Sequence, residues 1–527
     1  MARIIKAQRT PPWPSFPTLD LPSREVADRL FDCYLRTSES IYRVLHIPSF
    51  RKDYDAFWVS GNPSNANFLA QLQLVLVIGS TTSDEHFSLR SSAIQWASAA
   101  QAWLSQPKFK ARLDLQSIQT QLLFVLAQEK VAVGGDPTWI LAGALIRKAV
   151  YIGLHRDPSY LPASSTFAVE MRRRLWNTIL EVALQSSLTS GGPPFISLDD
   201  FDSATPSNLD DDQLQADRPV LQPVDHFTHV SLAILLRKTF PQRLAVVKFL
   251  NDLVSARTYR ETLRLDAELR EAYKLLCRTL QVYGSPGSTK TTPSQFEIRV
   301  VDLMMHRYLS SLHAPYFSAS LHETSYSFSR KVVVESSLKI WHAVFSSPAA
   351  RQRSNAQSQH HLPAFPYYDD LTCLVTCTSG FYPTVTIHAA FLIAMELRMQ
   401  LQEDEGLGLT SVPLRPDLLA VLEESKKWCL RTIEAGETNV KGYLLVSVLA
   451  AHIDGLARGL DKEGVARSLV ETVRRVGKEC LPILERMAAV GKEGESGELV
   501  SQEDLCGGME DWGFLVSEGS LDPCLVV

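Results

Sequence analysis

The sequence predicts an all-α protein, and three observations carry that expectation. Apolar residues recur at spacings of three and four along most of the chain. Asp, Pro and Gly stand where those stretches would start and stop as helices. No stretch alternates apolar and polar residues as a half-buried strand does. With 527 residues, 45% of them hydrophobic, the chain can bury a large core and suggests more than one structural unit.

The clearest helix follows Asp136-Pro137, an N-cap residue and a first-turn proline. Trp139, Ala142, Leu145, Ile146 and Ala149 then form one apolar stripe. Gly153 suits the left-handed conformation that ends such a helix, and Asp157-Pro158 marks a turn. Phe167, Met171, Leu175, Ile179, Ala183 and Leu184 stripe the next helix, where Glu170 stands three and four residues before Arg173 and Arg174. Gly191-Gly192-Pro193-Pro194 stops it, and the Asp-rich stretch Asp199–Asp212 reads as a loop.

Further helices are expected at Arg24–Ser40, Phe68–Gly79, Ser88–Leu104, Leu115–Lys130, His226–Phe249, Asp252–Tyr283 and Ser294–Leu312. The series continues through Arg330–Phe345, Tyr382–Gln402, Pro416–Glu434, Val440–Arg458 and Lys462–Val490. Gly284–Ser294 has the composition of a flexible connector, Ser346–Pro366 that of an exposed loop, and periodicity is lost after Val490. These breaks suggest a tail at 1–23, a helical domain at 24–320, a helical continuation at 321–490 and an acidic tail at 491–527.

Charge narrows the function. The net charge is −5, whereas a free-standing DNA reader carries a basic patch that neutralises phosphates. The first twenty residues lack the apolar core of a secretory signal, and the apolar runs Phe68–Gly79 and Leu444–Ala457 are short for a membrane span. The eight cysteines sit mostly among apolar neighbours, as small core residues do. An intracellular protein without a membrane segment is expected. Catalytic motifs are missing: there is no Gly-x-Ser-x-Gly elbow, no His-Glu-x-x-His and no Gly-x-x-x-x-Gly-Lys loop, so the chain is not expected to be an enzyme.

Six segments, in order, carry a family resemblance. They are His46-Ile47-Pro48-Ser49-Phe50 with Tyr54 and Phe57-Trp58; Trp139 to Gly143 through Arg147 and Gly153-Leu154-His155-Arg156-Asp157; and Glu170 to Trp176. Gly192-Pro193-Pro194, Pro206-Ser207-Asn208-Leu209-Asp210-Asp211 and Leu312-His313-Ala314-Pro315-Tyr316-Phe317 complete them. Together, between Val26 and Phe317, they resemble the fungal-specific transcription factor domain, the middle homology region of zinc-cluster regulators. Asn177, Ala183 and Ala314 depart from that pattern, where a second Trp, an acidic residue and an Arg are usual.

The resemblance implies a nuclear regulator of RNA polymerase II transcription, with the genes of a metabolic pathway as its target. Its partners would be other transcription factors or coactivators, a small-molecule effector, and a second chain in a homo- or heterodimer. The family's DNA reader holds two zinc ions on six closely spaced cysteines. No Cys-x-x-Cys pair occurs here, so DNA contact is expected only indirectly or through a cluster outside this sequence, and no cofactor is expected in this chain. Two alternatives stay open: an accessory regulator that pairs with a complete factor, and a helical enzyme that uses a cavity between helices.

Several residues invite chemistry and have plainer readings beside it. Cys373 and Cys377, with His360, His361 and His388, could hold a metal, but two buried cysteines on one helix face fit the apolar run Leu371–Thr378 better. Arg172-Arg173-Arg174 could touch phosphates or form an import signal; alternatively it is a solvated helix face with one arginine paired to Glu170, Asp202 or Asp210. His155-Arg156-Asp157 looks like an acid–base trio, and equally like a helix-end turn in which Asp157 caps the next segment. In the tail, acidic residues interleave with Trp512, Phe514 and Leu515, the pattern of an activation segment or of a patch that docks on its own core.

Overall fold

The computed structural model describes residues 21–61, 66–105, 113–132, 137–160, 165–216, 219–253, 258–284, 292–345, 369–407 and 414–492. Among them every regular element is a helix and none is a strand, as the periodicity of the sequence requires. The tail at 491–527 beyond Lys492, residues 1–20, Asp136 and the loop at 346–366 lie outside the described residues.

In chain order the helices are α1 (Arg24–Arg36), α2 (Ser38–Ile41), α3 (Ile47–Ser60), α4 (Ala66–Ser80), α5 (Arg90–Leu104) and α6 (Leu115–Val131). Next come α7 (Thr138–Tyr151), α8 (Thr166–Ser190), α9 (Ser231–Leu250), α10 (Tyr259–Tyr283), α11 (Gln295–His313) and α12 (Ser327–Val344). The series ends with α13 (Asp370–Cys377), α14 (Phe381–Leu407), α15 (Pro416–Glu434), α16 (Lys441–Ala457) and α17 (Lys462–Lys492).

Local chemistry sets several boundaries. Asp114 caps α6 by accepting from the backbone N–H of Ser117, while the Ser117 hydroxyl accepts from the Asp114 N–H. Ser165, Thr258 and Asp369 cap α8, α10 and α13 in the same way on one side. Gly191 ends α8 at φ 64° and Gly153 follows α7 at φ 75°, both in the left-handed region that glycine enters without a Cβ clash.

The structure departs from the sequence expectation at three boundaries and in two further helices. Pro137 is the N-cap of α7 and not its first residue. The helix expected from His226 begins at Ser231, because Thr228 and Ser231 turn their hydroxyls to Asn208. The helix expected from Asp252 begins at Tyr259, after its Thr258 cap. Helices α3 and α13 form where only a motif and an apolar run were legible.

The chain divides into two compact units. Among the described residues the larger takes those of 21–313 with those of 332–389, and the smaller takes those of 314–331 with those of 390–492. In the larger unit α1 packs on α4, α4 on α5 and α6, and the succession α6, α7, α8, α9, α10, α11 packs each helix on the next. Gly79 shows how closely α1 and α4 approach: a Cβ there would lie 1.9 Å from the Leu30 carbonyl oxygen. Gly79→Ala is therefore expected to force the two helices apart and cost about 1–3 kcal/mol of stability; an unchanged denaturation midpoint would contradict that contact.

In the smaller unit α15, α16 and α17 pack together, burying Leu422, Trp428, Ile453, Val476 and Leu484. Arg330 there donates to Glu396 (2.8 Å) and Glu403 (2.5 Å). Among the described residues no single helix is long and apolar enough to cross a membrane.

Candidate functional site

The loop segments around Asp157, Pro206 and Asp211 are tied to α8, in the larger unit. Its three consecutive arginines point to three different places. Arg172 donates to the carbonyls of Gly153 (2.7 Å) and Ile152 (3.3 Å), closing the end of α7. Arg173 grips Asp157 with two bonds of 3.0 and 2.9 Å and donates a third of 3.0 Å to Glu170. Arg174, with a side chain only 1% exposed, donates to Asp211 (2.5 Å) and to the Leu209 carbonyl (2.8 Å). The expectation of a solvated arginine face fails for Arg174, because a buried guanidinium must find a carboxylate and Asp211 supplies it.

These arginines and their acids fasten the long loop after α8. Asp157 accepts from the backbone N–H of Ser159 (3.0 Å) and of Ala204 (2.9 Å), so it caps the short 3-10 turn Pro158–Tyr160 and ties in the loop at once. The His155 carbonyl accepts from the N–H groups of Asp202 and Ser203, both at 3.1 Å. Asp202 accepts from the Asp157 N–H (2.7 Å) and pairs with Arg156 at 3.1 Å. Glu170 accepts from both the N–H and the hydroxyl of Ser207 at 2.8 Å. Asn208 donates to the carbonyls of Pro223 and His226 and accepts from Thr228 and Ser231. Pro206 is buried, and Trp176 packs edge-on against Phe201, over which Arg237 lies.

Asp211 is the hub of a second network. It accepts from Arg174, from Arg43 (2.9 Å) and from the Ile47 N–H (2.9 Å). Its carbonyl lies 3.0 Å from His46 Nε2. A carbonyl can only accept, so His46 donates to it from Nε2, and its Nδ1 lies 2.7 Å from the Ser49 hydroxyl. Arg43 extends the chain to Glu39, 3.7 Å away, which accepts from Tyr34 and from the Val44 and Leu45 N–H groups.

The charges follow from these partners. Burial opposes ionisation of Asp211, but Arg43 and Arg174 outweigh it and hold the carboxyl well below its ordinary value. Arg173 does the same for Asp157. Glu39 goes the other way: burial dominates over the pull of Arg43 and Tyr34 and raises it to about 7. A carboxyl raised on folding favours the folded state below its unfolded value of 4.5 and loses that contribution as pH rises through about 7. The stability difference between the native chain and Glu39→Gln is therefore expected to vary between pH 4.5 and about 7. A difference constant over that window contradicts the assignment. Asp157 and Asp211 act oppositely and lose their contribution in acid, below their ordinary 3.8.

Not every expected residue joins these networks. Phe50, with Phe31 and Phe68 at ring distances of 5.4 Å, builds an aromatic cluster under α3, on which Pro48 stands in the first turn and Trp58 packs beside Tyr54. Trp139, Gly143, Arg147 and Pro194 line a separate small pocket between α7 and α8, with Ala183 on its other wall. His313 is fully buried and its Nε2 lies 3.2 Å from Asp266. Pro315 is exposed in the smaller unit.

Cys373 and Cys377 are buried on α13, where burial raises both thiols, Cys377 to about 12. His388 accepts from Arg307 at 2.6 Å and is lowered by burial to about 3. His360 and His361 lie outside the described residues. Among the described residues no three His, Cys, Asp or Glu side chains group as a metal site would.

Arg43, Glu39 and Asp211 were not singled out as a network in the sequence, nor was the buried pair Arg243–Glu181, joined at 2.5 and 2.8 Å. Glu181 and Arg243 could have been noticed as single charges inside apolar stretches of α8 and α9; their pairing could not.

The buried charges around α8 are thus spent on one another and on fastening the loop that follows it. Residues 31–283 match the family described as the fungal specific transcription factor domain. Among curated relatives, transcription factor lepE of Aspergillus flavus is 36% identical over 347 residues, 64% of this chain and 41% of that protein. Transcription factor opdR of Penicillium oxalicum is 31% identical over 507 residues, covering 91% and 61%. The aspyridones cluster regulator apdR of Emericella nidulans is 27% identical over 479 residues, covering 89% and 62%. The chain thus spans about two fifths to three fifths of the length of these relatives. No solved structure matches it.

Proposed function

We propose that this chain is the regulatory region of a zinc-cluster type transcription factor that acts in the nucleus on a secondary-metabolite gene cluster. The single observation that carries the reading is the coincidence of the domain match at residues 31–283 with the arginine-fastened helical unit. Support for the pathway comes from relatives named as cluster regulators, such as apdR, and from a relative named as a Zn(2)-C6 fungal-type transcription factor. The larger unit works without turnover: its helices form a surface for a partner or effector, and an effector acts by favouring one arrangement over another. DNA contact belongs to a zinc cluster outside these residues or to a partner chain.

Chromatin immunoprecipitation of the tagged protein, with transcript profiling after gene deletion, tests the reading. Occupied promoters within one biosynthetic cluster, and loss of its transcripts on deletion, are the expected result. Exclusion from the nucleus, or an unchanged transcriptome, would overturn it.

The tail at 491–527 supplies the second contact in this scheme. Acidic residues interleave there with Trp512, Phe514 and Leu515, the sequence pattern of segments that a coactivator groove takes up. Fused to a neutral DNA-binding module, the tail is expected to activate a reporter, and Trp512→Ala with Phe514→Ala to reduce that activity. A silent fusion rejects this role.

A further inference from the structure

The pocket between α7 and α8 has no part in the ion networks. Its volume is about 70 Å³, and its walls come from Trp139, Gly143 and Ile146 on one side, Ala183 on the other, and Phe195 at the mouth. Three features distinguish it from a packing gap. First, Phe195 sits at φ 45°, a conformation that bulky L-residues avoid, and leaves its ring 65% exposed. Strain of this kind is concentrated at ligand clamps and active sites.

Second, the aromatic wall is held in place. The Phe195 ring stacks on Trp139 at 5.6 Å and 26°. Trp139 Nε1 donates to the Pro193 carbonyl at 3.2 Å, and the ring lies so close to Gly192 that a Cβ there would be 2.8 Å from it.

Third, Arg147 is the single charged side chain lining the pocket. Its Nη1 lies beside Gly143, 3.4 Å from where a Cβ there would stand. Among the described residues no carboxylate pairs with it.

We propose that this pocket binds a small aliphatic carboxylate, its branched apolar end between Trp139 and Ala183 and its carboxylate on Arg147. The size sets the class. A liquid water takes about 30 Å³, and a cavity of about 150 Å³ admits benzene; a pocket of about 70 Å³ is filled by an isopropyl group. The charge sets the head: one guanidinium, which pairs with a carboxylate in a two-bond fork, and no second cation for a phosphate dianion.

The test uses isovalerate and its neutral isostere isovaleramide on the purified full chain, read by calorimetry and saturation-transfer NMR. Isovalerate is expected to bind saturably, with Kd on the order of 1 mM, and isovaleramide at least about tenfold more weakly. Arg147→Gln is expected to remove that preference without moving the thermal midpoint, since the side chain is exposed. Phe195→Gly is expected to relieve the strained φ, leave the midpoint unreduced and abolish binding of both probes. Equal affinity for acid and amide overturns the proposal. So does full isovalerate affinity in either variant, or the absence of saturable binding. The readout is ligand uptake by the protein, so promoter occupancy can fail or succeed independently of it.

Discussion

Asp211→Ala is expected to destabilise the larger unit by about 3–5 kcal/mol. The carboxylate takes bonds from Arg174 and Arg43, side chains 1% and 5% exposed, and from the Ile47 N–H. Removing it leaves Arg174 with only the Leu209 carbonyl and Arg43 with only the more distant Glu39, both buried, and desolvation of a poorly paired buried charge is the large term. Asp211→Asn keeps one acceptor and is expected to cost less. Replacing Asp211, Arg174 and Arg43 together by apolar residues of similar volume is expected to recover much of the loss, because the ions then leave together. Denaturation midpoints measure the series. If the alanine variant is as stable as the native chain, Asp211 is not the hub of a buried network.

Glu181→Ala is expected to have an effect of the same size, about 3–5 kcal/mol. Arg243 lies with its guanidinium at 0% exposure, donating to both Glu181 oxygens, to the Thr239 hydroxyl and to the Leu236 carbonyl. Its pKa is held above the ordinary value because Glu181 outweighs the burial that would lower it. Without Glu181 the cation keeps two weak acceptors and the face of Tyr308, 5.5 Å away. Gln at 181 offers one neutral acceptor and is expected to recover part of the loss. A loss below about 1 kcal/mol, the scale of an exposed pair, would mean that water reaches this site.

What the sequence revealed depended on the range of the interaction. Gly153 and Gly191 were legible because a left-handed helix end is decided by one residue and its neighbours. The stripe on α8 was legible because helical spacing is local. The Glu170–Arg173 pair, three residues apart, was within reach of the same reasoning. The destinations of the arginines were not. Arg172, Arg173 and Arg174 are adjacent in sequence, yet their partners come from the end of α7, the turn at Asp157 and the loop at Asp211. Asp202 and Asp210, the partners that sequence proximity suggested, pair instead with Arg156 and His229.

Helix α3 left a signal that motif reading obscured: Phe50, Tyr54 and Phe57 are spaced four and three apart, with Pro48 in the first turn. Helix α13 left only the four-residue spacing of Cys373 and Cys377 in an apolar run, since an eight-residue segment that is buried all round has no stripe to detect. The pocket at Phe195 was equally hidden, because it depends on a close approach of Gly192 to Trp139 across 53 positions.

Hydrogen exchange of the loop at 199–212 is the most direct test of the fastening described here. The amides of Asp202, Ser203, Ala204 and Ser207 donate to His155, Asp157 and Glu170, so their exchange should be slowed like that of helix interiors and should accelerate sharply in Arg173→Gln. Exchange at the rate of a free surface loop in the native chain, or protection that Arg173→Gln leaves intact, would show that the arginines of α8 do not hold it.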